Sequence, residues 1–121
     1  MRKQGTSAFA AMVAALAAAS ATGASLVGLD PGTPVEVAGI IERHECYACH
    51  AQTEARIGPS YRMIAARHAA RRDVMEEVLA WKIIEGGAGN WGVVPMVANE
   101  KVSLEEARAV ARWILELDPD G

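Results

Sequence analysis

The chain has 121 residues, which is one domain's worth, and a formal net charge of −3. Nucleic-acid binding requires faces rich in lysine and arginine, so this mildly acidic balance argues against a nucleic-acid partner. Only six residues are aromatic (three Trp, two Tyr, one Phe), a thin supply for a packed core.

The first residues have the three parts of a secretory signal peptide. A basic start, Met1-Arg2-Lys3, precedes an apolar run and then small residues that form a cleavage site. We predict a cut after Ala21, with Ala24 as a second candidate. Residues 1–21 are then the signal peptide, and 22–32 a flexible N-terminal segment.

The alternative is an uncleaved membrane anchor, because residues 8–29 carry no charge and could span a bilayer. Serine, threonine and glycine interrupt that run, so we favour removal. In both cases the rest of the chain lies outside the cytoplasm, in the periplasm of a bacterium. Removal also takes away Arg2 and Lys3, leaving 12 − 2 = 10 basic residues against 15 acidic ones.

A first helix is predicted to begin at Thr33-Pro34. Thr33 would cap it, Pro34 would occupy the first helical position, and Glu36 would complete a capping box. Apolar residues follow at helical spacing, so the helix buries one stripe and leads directly into Cys46.

The next segment, Cys46-Tyr47-Ala48-Cys49-His50, has the Cys-x-x-Cys-His spacing of c-type haem attachment. Two thiols one helical turn apart can bond to neighbouring substituents on the porphyrin edge, and the adjacent imidazole can bind one axial face of the iron. We therefore predict one haem c, attached covalently through Cys46 and Cys49, with His50 as an axial ligand.

A Cys-x-x-Cys pair also occurs in thioredoxin-like redox sites and in zinc sites. The redox site expects a βαβ context, and no strand pattern is present. A zinc site needs four ligands, yet these are the only two cysteines, and His44 and His68 stand singly. Both alternatives are less favoured than haem, and His44 is expected at a helix end or on the surface.

Three further helices are predicted after a polar loop that ends in a Gly58-Pro59 turn. They run from Ser60 to about His68, from Asp73 to a stop at Gly86, and from Ser103 onward, with capping boxes at the last two. The residues predicted to face inward are Tyr61, Ile64 and Ala65 on the first of these helices. On the second they are Val74, Val78, Leu79, Trp81 and Ile83, and on the last they are Ala107, Val110, Ala111 and Ile114.

A glycine-rich loop, 86–99, contains the predicted second iron ligand, Met96. Pro95 stiffens the chain just before it. Met63 and Met75 lie within predicted helices, where methionine more often fills a core. His68 is the rival ligand, and a His/Met pair would raise the reduction potential relative to two histidines.

The region from about Val35 to Leu117 resembles the small bacterial class I cytochromes c of the cytochrome c-551 type. The resemblance is carried by Cys46 to His50, Gly58-Pro59, Trp91 to Met96, and a terminal helix bearing Trp113. It implies an all-α fold, with about four short helices wrapped around one covalently attached haem and the N- and C-terminal helices packed across each other. The implied domain covers 33–118, with a tail over 119–121.

The resemblance also implies roles around the haem. The Pro59 carbonyl would accept a hydrogen bond from His50, Trp91 would donate to a haem propionate, and Lys82 would be a basic partner of that group. Asn99 would steady the Met96 sulfur. Relatives often have prolines where this chain has Val97-Ala98, a departure that would loosen the loop.

The predicted function is a periplasmic single-electron carrier that cycles Fe(III)/Fe(II) and meets donor and acceptor redox proteins transiently. We expect a monomer without catalytic activity of its own, and with a membrane association only if the leader is uncleaved. Two alternatives remain open: a tightly held electron-transfer subunit of a larger oxidoreductase, and a haem enzyme or gas sensor with a labile sixth ligand.

Overall fold

A computed structural model describes residues 27–121. The predicted signal peptide, both candidate cleavage sites and residues 22–26 lie outside this part of the chain. No helix within 27–121 is long and apolar enough to cross a bilayer.

The described residues form four α-helices and two short 3₁₀ turns. The helices are α1 (Val35–Arg43), α2 (Tyr61–His68), α3 (Arg72–Glu85) and α4 (Leu104–Glu116), and the turns are Cys46–Ala48 and Ala69–Arg71. Residues 27–121 contain no β-strand, only two isolated bridges. The predicted all-α fold is confirmed.

Helices α1 and α4 pack across each other, as predicted. Their facing side chains form one apolar cluster, in which Ile41 is fully buried and contributes about 2 kcal/mol by its burial. The cluster consists of Val27, Leu29, Val37, Ile40, Ile41, Tyr61, Val110, Trp113 and Ile114. Small residues, including Ala80 of α3 and Ala107 and Ala111 of α4, form a second cluster that brings α3 and α4 close together.

Local signals at the helix ends are confirmed at three places. Ser60 caps α2 by accepting a hydrogen bond from the Met63 amide at 3.1 Å. Ser103 and Glu106 form the predicted capping box of α4. Helix α3 ends at Glu85, and Gly86 follows with a φ of +67°, a left-handed angle that favours glycine.

The other two predicted capping boxes are wrong, because a tertiary contact takes the side chain in each case. Helix α1 begins at Val35 without a side-chain cap, and the Thr33 hydroxyl instead donates to Gln52 Oε1 at 3.2 Å. Helix α3 begins at Arg72, and Glu76 instead accepts from Arg112 of α4 at 2.8 Å.

The buried face of α3 also differs from the prediction. Leu79 and Ile83 pack against the core clusters, as predicted, but Val74, Val78 and Trp81 are 58%, 52% and 43% exposed. Met75 and Ala80 are buried in their place, so the packed face of α3 overlaps the predicted one only in part. The apolar pattern along α3 therefore does not by itself decide which face packs.

Residues 27–30, part of the segment 22–32 predicted to be flexible, pack against the domain, whereas Pro31 and Gly32 are exposed. Val27 and Leu29 are buried in the core cluster, and the Gly28 carbonyl accepts from the Gln52 amide at 2.7 Å. The buried Gln52 side chain also bonds both the Asp30 amide and the Asp30 carboxylate, at 2.8 and 2.7 Å. Gln52, which lies two residues after the Cys-x-x-Cys-His motif, thus holds the segment by hydrogen bonds to the backbone of Gly28 and Asp30.

Candidate functional site

The two thiols are presented by the 3₁₀ turn that follows α1. Glu45 adopts a left-handed conformation, with a φ of +54°, and turns the chain out of α1. The Cys46 carbonyl then accepts from the amides of Cys49 and His50, at 3.2 and 3.0 Å. This tight turn holds Cys46, Cys49 and His50 together in one compact unit.

Both thiols are half-buried and form no disulfide. Burial raises the pKa of the Cys46 thiol. Redox dithiol sites work through a lowered thiol pKa, so the shift runs opposite to that chemistry. Within residues 27–121, no group of three or more His, Cys, Asp or Glu side chains could hold a metal ion, as a zinc site would require.

The His50 imidazole is held by three neighbours. Its Nδ1 lies 2.6 Å from the Pro59 carbonyl oxygen, and because a carbonyl can only accept, Nδ1 must carry the hydrogen. Nε2 then keeps a free lone pair, the form that binds a metal. Tyr61 stacks on the ring at 5.6 Å between centroids, and a Cβ added to Gly58 would lie 2.6 Å from His50 Cε1.

A cavity of about 170 Å³ is reached through Gly58 and Pro59, the two loop residues that adjoin this imidazole. It is lined by the loop that carries Gly58 and Pro59, by Met63 of α2 and by Trp91 of the glycine-rich loop. Its lining residues are Ala55, Arg56, Ile57, Gly58, Pro59, Met63 and Trp91. The structure therefore brings together two of the predicted haem-contacting residues, Pro59 and Trp91, with apolar side chains around them.

Arg67 is a residue of this region that the sequence did not reveal. Its guanidinium lies over the Trp91 ring, 4.4 Å from the centroid, and donates to the Asn90 carbonyl. A cation over an indole face is attractive, so Arg67 ties α2 to the loop. No spacing rule links positions 67 and 91. Lys82, the predicted basic partner of a haem propionate, places its amine close to Gly87. The Lys82 Nζ atom lies 3.3 Å from the position that a Cβ atom on Gly87 would occupy.

Met96 is placed by backbone pairing with Gly87. Each residue donates its amide to the other's carbonyl, at 2.9 and 2.8 Å, and Met96 is half-buried. Gly86 lies so close to the loop backbone at Met96 that an added Cβ would be 2.3 Å from the Met96 carbonyl oxygen. Glycine is thus required where α3 meets the predicted ligand loop.

Asn99 anchors the other end of this loop. Its backbone amide donates to the Ile84 carbonyl at 2.9 Å, and its side-chain nitrogen donates to the carbonyls of Ile83 and Val97, at 2.9 and 3.4 Å. The side chain thus holds the loop to the end of α3. Its predicted contact with the Met96 sulfur stays a prediction.

The two other histidines lie in different surroundings. His44 Nε2 is 3.0 Å from the Glu106 carboxylate, which joins the end of α1 to α4. His68 ends α2, where burial and then the charges of Arg67 and Arg71 lower its pKa. A lowered pKa favours the neutral imidazole, the form that binds a metal, so His68 stays the rival of Met96.

Comparison with known proteins gives a consistent result. No family model matches the chain. Cytochrome c-551 of Allochromatium vinosum is 35% identical over 78 residues, which are 64% of this chain and 82% of the relative. Cytochrome c-552 of Hydrogenobacter thermophilus is 42% identical over 72 residues, 60% and 71% of the two chains. The crystal structure of Nitrosomonas europaea cytochrome c552 matches with a TM-score of 0.63 at 40% identity, covering 67% of this chain and 99% of that one.

These findings define an all-helical domain built around a Cys-x-x-Cys-His turn. The chain belongs to the small class I c-type cytochromes of the c-551/c-552 type. Its cofactor is one covalently bound haem c.

The described residues fit that cofactor. Two thiols without a disulfide, an imidazole with a free Nε2 lone pair, and a cavity whose walls include Ile57, Met63 and Trp91 lie in adjoining parts of the structure. The buried Tyr61 hydroxyl has no hydrogen-bond partner among residues 27–121, as expected where a further group completes the site. The family and cofactor predicted from the sequence are confirmed.

Proposed function

We propose that this cytochrome is a periplasmic single-electron carrier whose iron is held by His50 and Met96. When bound, haem c supplies an iron that takes up or releases one electron. Electron carriage follows from the family, whereas the compartment, the ligand pair and the freely diffusing, non-enzymatic role belong to the proposal.

The observation that carries the proposal is the 2.6 Å hydrogen bond from His50 Nδ1 to the Pro59 carbonyl. It fixes the tautomer that leaves Nε2 as a metal ligand, and it holds the ring in one orientation. Cys46 and Cys49, on the same turn, would form the two thioether bonds. Together the three side chains would hold the haem by one edge and one axial face.

Met96 is proposed for the opposite axial face because its loop is built to keep its backbone in place. Gly87 pairs with it, Gly86 allows the close approach, and Asn99 ties the loop to α3. With both axial positions filled by side chains, no substrate could coordinate the iron. The protein would then pass electrons through the haem edge without making or breaking a bond.

The haem-contacting roles of Trp91 and Lys82 remain part of the proposal. Trp91 lines the cavity beside His50, which supports a contact between its indole N–H and a propionate. Lys82 lies at Gly87, next to the Met96 pairing, and could reach an acidic group from there. The partners are donor and acceptor redox proteins, met in small transient interfaces, with the cytochrome as a monomer.

The test is an optical and redox titration of purified holoprotein and of Met96→Ala. A thioether ligand gives ferric haem a long-wavelength charge-transfer band, which the wild type should show and Met96→Ala should lose. Met96→Ala should also have a lower reduction potential, because the soft thioether favours ferrous iron. Met63→Ala is the matched control, since Met63 also lines the cavity.

A band that survives in Met96→Ala but vanishes in Met63→Ala would move the ligand to α2. A wild-type protein that lacks the band would favour His68 or an open sixth position, and with the latter an enzyme or sensor. The spectrum of covalently attached haem should be lost in Cys46→Ala and Cys49→Ala but kept in Met96→Ala. That result would show that the two thiols attach the haem, whereas Met96 only binds the iron.

A further inference from the structure

The charges of this protein are strongly segregated along the chain. Residues 55–72 contain five arginines and no aspartate or glutamate, although the chain as a whole is acidic. Four of these arginines are exposed, and we refer to them as the arginine surface: Arg56, Arg67, Arg71 and Arg72. Half of the ten basic residues beyond Lys3 therefore lie in this one stretch.

The arginine surface differs from the other arginines of the described chain in having no carboxylate partner. Arg43, Arg108 and Arg112 each pair with a glutamate on a neighbouring helix, at 2.7 to 2.8 Å. Arg62, in the same stretch, pairs with Asp30 at 3.0 Å. Within residues 27–121, no Asp or Glu lies in ion-pair distance of the four members of the arginine surface. Their charges are thus left for something outside this part of the chain.

The arginine surface borders the haem site. Arg56 lines the cavity beside His50, and Arg67 covers the Trp91 ring in the wall of the same cavity. Arg67 and Arg71 both lie near enough to His68 to lower its pKa. The positive charges therefore extend from the cavity rim to the start of α3.

We propose that the arginine surface is the docking surface for an acidic redox partner protein. A patch of one sign on a protein of the opposite net charge orients an encounter and raises its rate. The inference rests on the proposed electron-carrier function, and it names the kind of partner.

A protein fits this position better than an anionic lipid surface. Two of the unpaired charges, Arg56 and Arg67, border the cavity next to the proposed haem site, and a lipid head group can neither accept nor donate an electron. Two members of the surface are also held in place, because Arg56 donates to the Tyr47 carbonyl and Arg67 to that of Asn90. Such a fixed array suits a shaped partner more than a fluid surface.

The first experiment measures electron transfer from the reduced holoprotein by stopped flow. The oxidants are the hexacyanoferrate(III) trianion and the tris(phenanthroline)cobalt(III) trication, each of which takes one electron as the haem iron goes from ferrous to ferric. At low ionic strength, Arg71→Glu/Arg72→Glu should react about tenfold more slowly with the anion. It should react faster with the cation, and salt should reduce both differences.

The single variant Arg71→Glu should slow the reaction with the anion about threefold. Lys101→Glu is its control and should have a smaller effect. Lys101 is exposed in the turn before α4 and outside the arginine stretch, and its substitution changes the net charge equally. An acidic residue at the N-terminus of α3 is favoured by the helix dipole, so Arg71→Glu should not impair folding. Equal effects of the two single variants would overturn the inference, because net charge alone would explain them.

A second measurement tests the class of partner with defined probes. Holoprotein should bind immobilised polyglutamate in a salt-dependent way, with at least about a threefold loss of binding in Arg71→Glu/Arg72→Glu and none in Lys101→Glu. Tighter binding to phosphatidylglycerol vesicles than to polyglutamate would overturn the protein partner in favour of a membrane. A holoprotein that neither oxidant oxidises would sink the proposed function itself, whereas oxidation unaffected by the arginine variants would sink only the docking surface.

Discussion

Single residues act at this site largely through main-chain contacts. The Pro59 carbonyl sets the tautomer of His50, the Gly87 backbone pairs with Met96, and the Asn99 amide holds carbonyls at the end of α3. Backbone partners place a ligand firmly, because they move only when the whole loop moves. The loop around Met96 is therefore as much a part of the predicted iron site as the sulfur itself.

Asn99→Ala tests this view of the loop. The change removes a side-chain donor from the Ile83 and Val97 carbonyls, so the holoprotein should lose about 1 kcal/mol of stability in urea unfolding. The thioether band should also be lost at lower concentrations of added imidazole than in the wild type, because a looser loop releases Met96 more readily. Asn90→Ala is the control, since Asn90 contributes only its carbonyl to the contact with Arg67. Equal effects of the two variants would contradict an anchoring role.

At the level of elements, α4 joins the rest of the domain through both apolar and charged contacts. Its apolar face packs across α1 and along α3, and its outer face pairs arginines with Glu76 and Glu77 of α3. Such exposed pairs contribute little on their own. Glu106 is the exception, because it caps α4 and also accepts from Arg43 and His44 at the end of α1.

Glu106→Gln should reveal a pH-dependent part of this link. The hydrogen bond from Arg43 holds the pKa of Glu106 below its ordinary value of 4.5, so the carboxylate stabilises the folded state above that pH. The stability lost in Glu106→Gln should be largest at neutral pH. It should shrink as the pH falls below about 4.5 through the lowered pKa, where the wild type itself becomes protonated.

Urea unfolding at several pH values measures this difference. Gln can still serve the capping box, so the comparison isolates the charge. Glu105→Gln is the control in the same helical turn. A difference between wild type and Glu106→Gln that stays constant from pH 7 to pH 3 would contradict a role for the ionised pair.

For the whole molecule, we expect the haem to take the place of aromatic bulk in the core. Only six of the 121 residues are aromatic, and one of them, Trp91, lines the cavity at the site. Small domains bury a limited fraction of their surface and often depend on a cofactor for stability. Folding and haem attachment should therefore be coupled.

The Cys46→Ala/Cys49→Ala/His50→Ala chain, which cannot attach haem, should be largely unfolded. Far-ultraviolet circular dichroism should show a small fraction of the helix content of the holoprotein under the same conditions. Met96→Ala, which keeps both thiols and His50, should retain that content. A haem-free chain with the helix content of the holoprotein would show that the polypeptide core is sufficient by itself.

The sequence alone determined the attachment chemistry, the all-α class, the number of helices, the stop at Gly86 and the cap at Ser103. These features depend on residues within one or two helical turns of each other, where covalent geometry sets the spacing. Only the tertiary structure decided which face of α3 is buried, that Thr33 bonds Gln52, that residues 27–30 are packed, and that Arg67 covers Trp91. Those contacts join residues far apart in the chain, and they depend on how the helices cross, which no local pattern encodes.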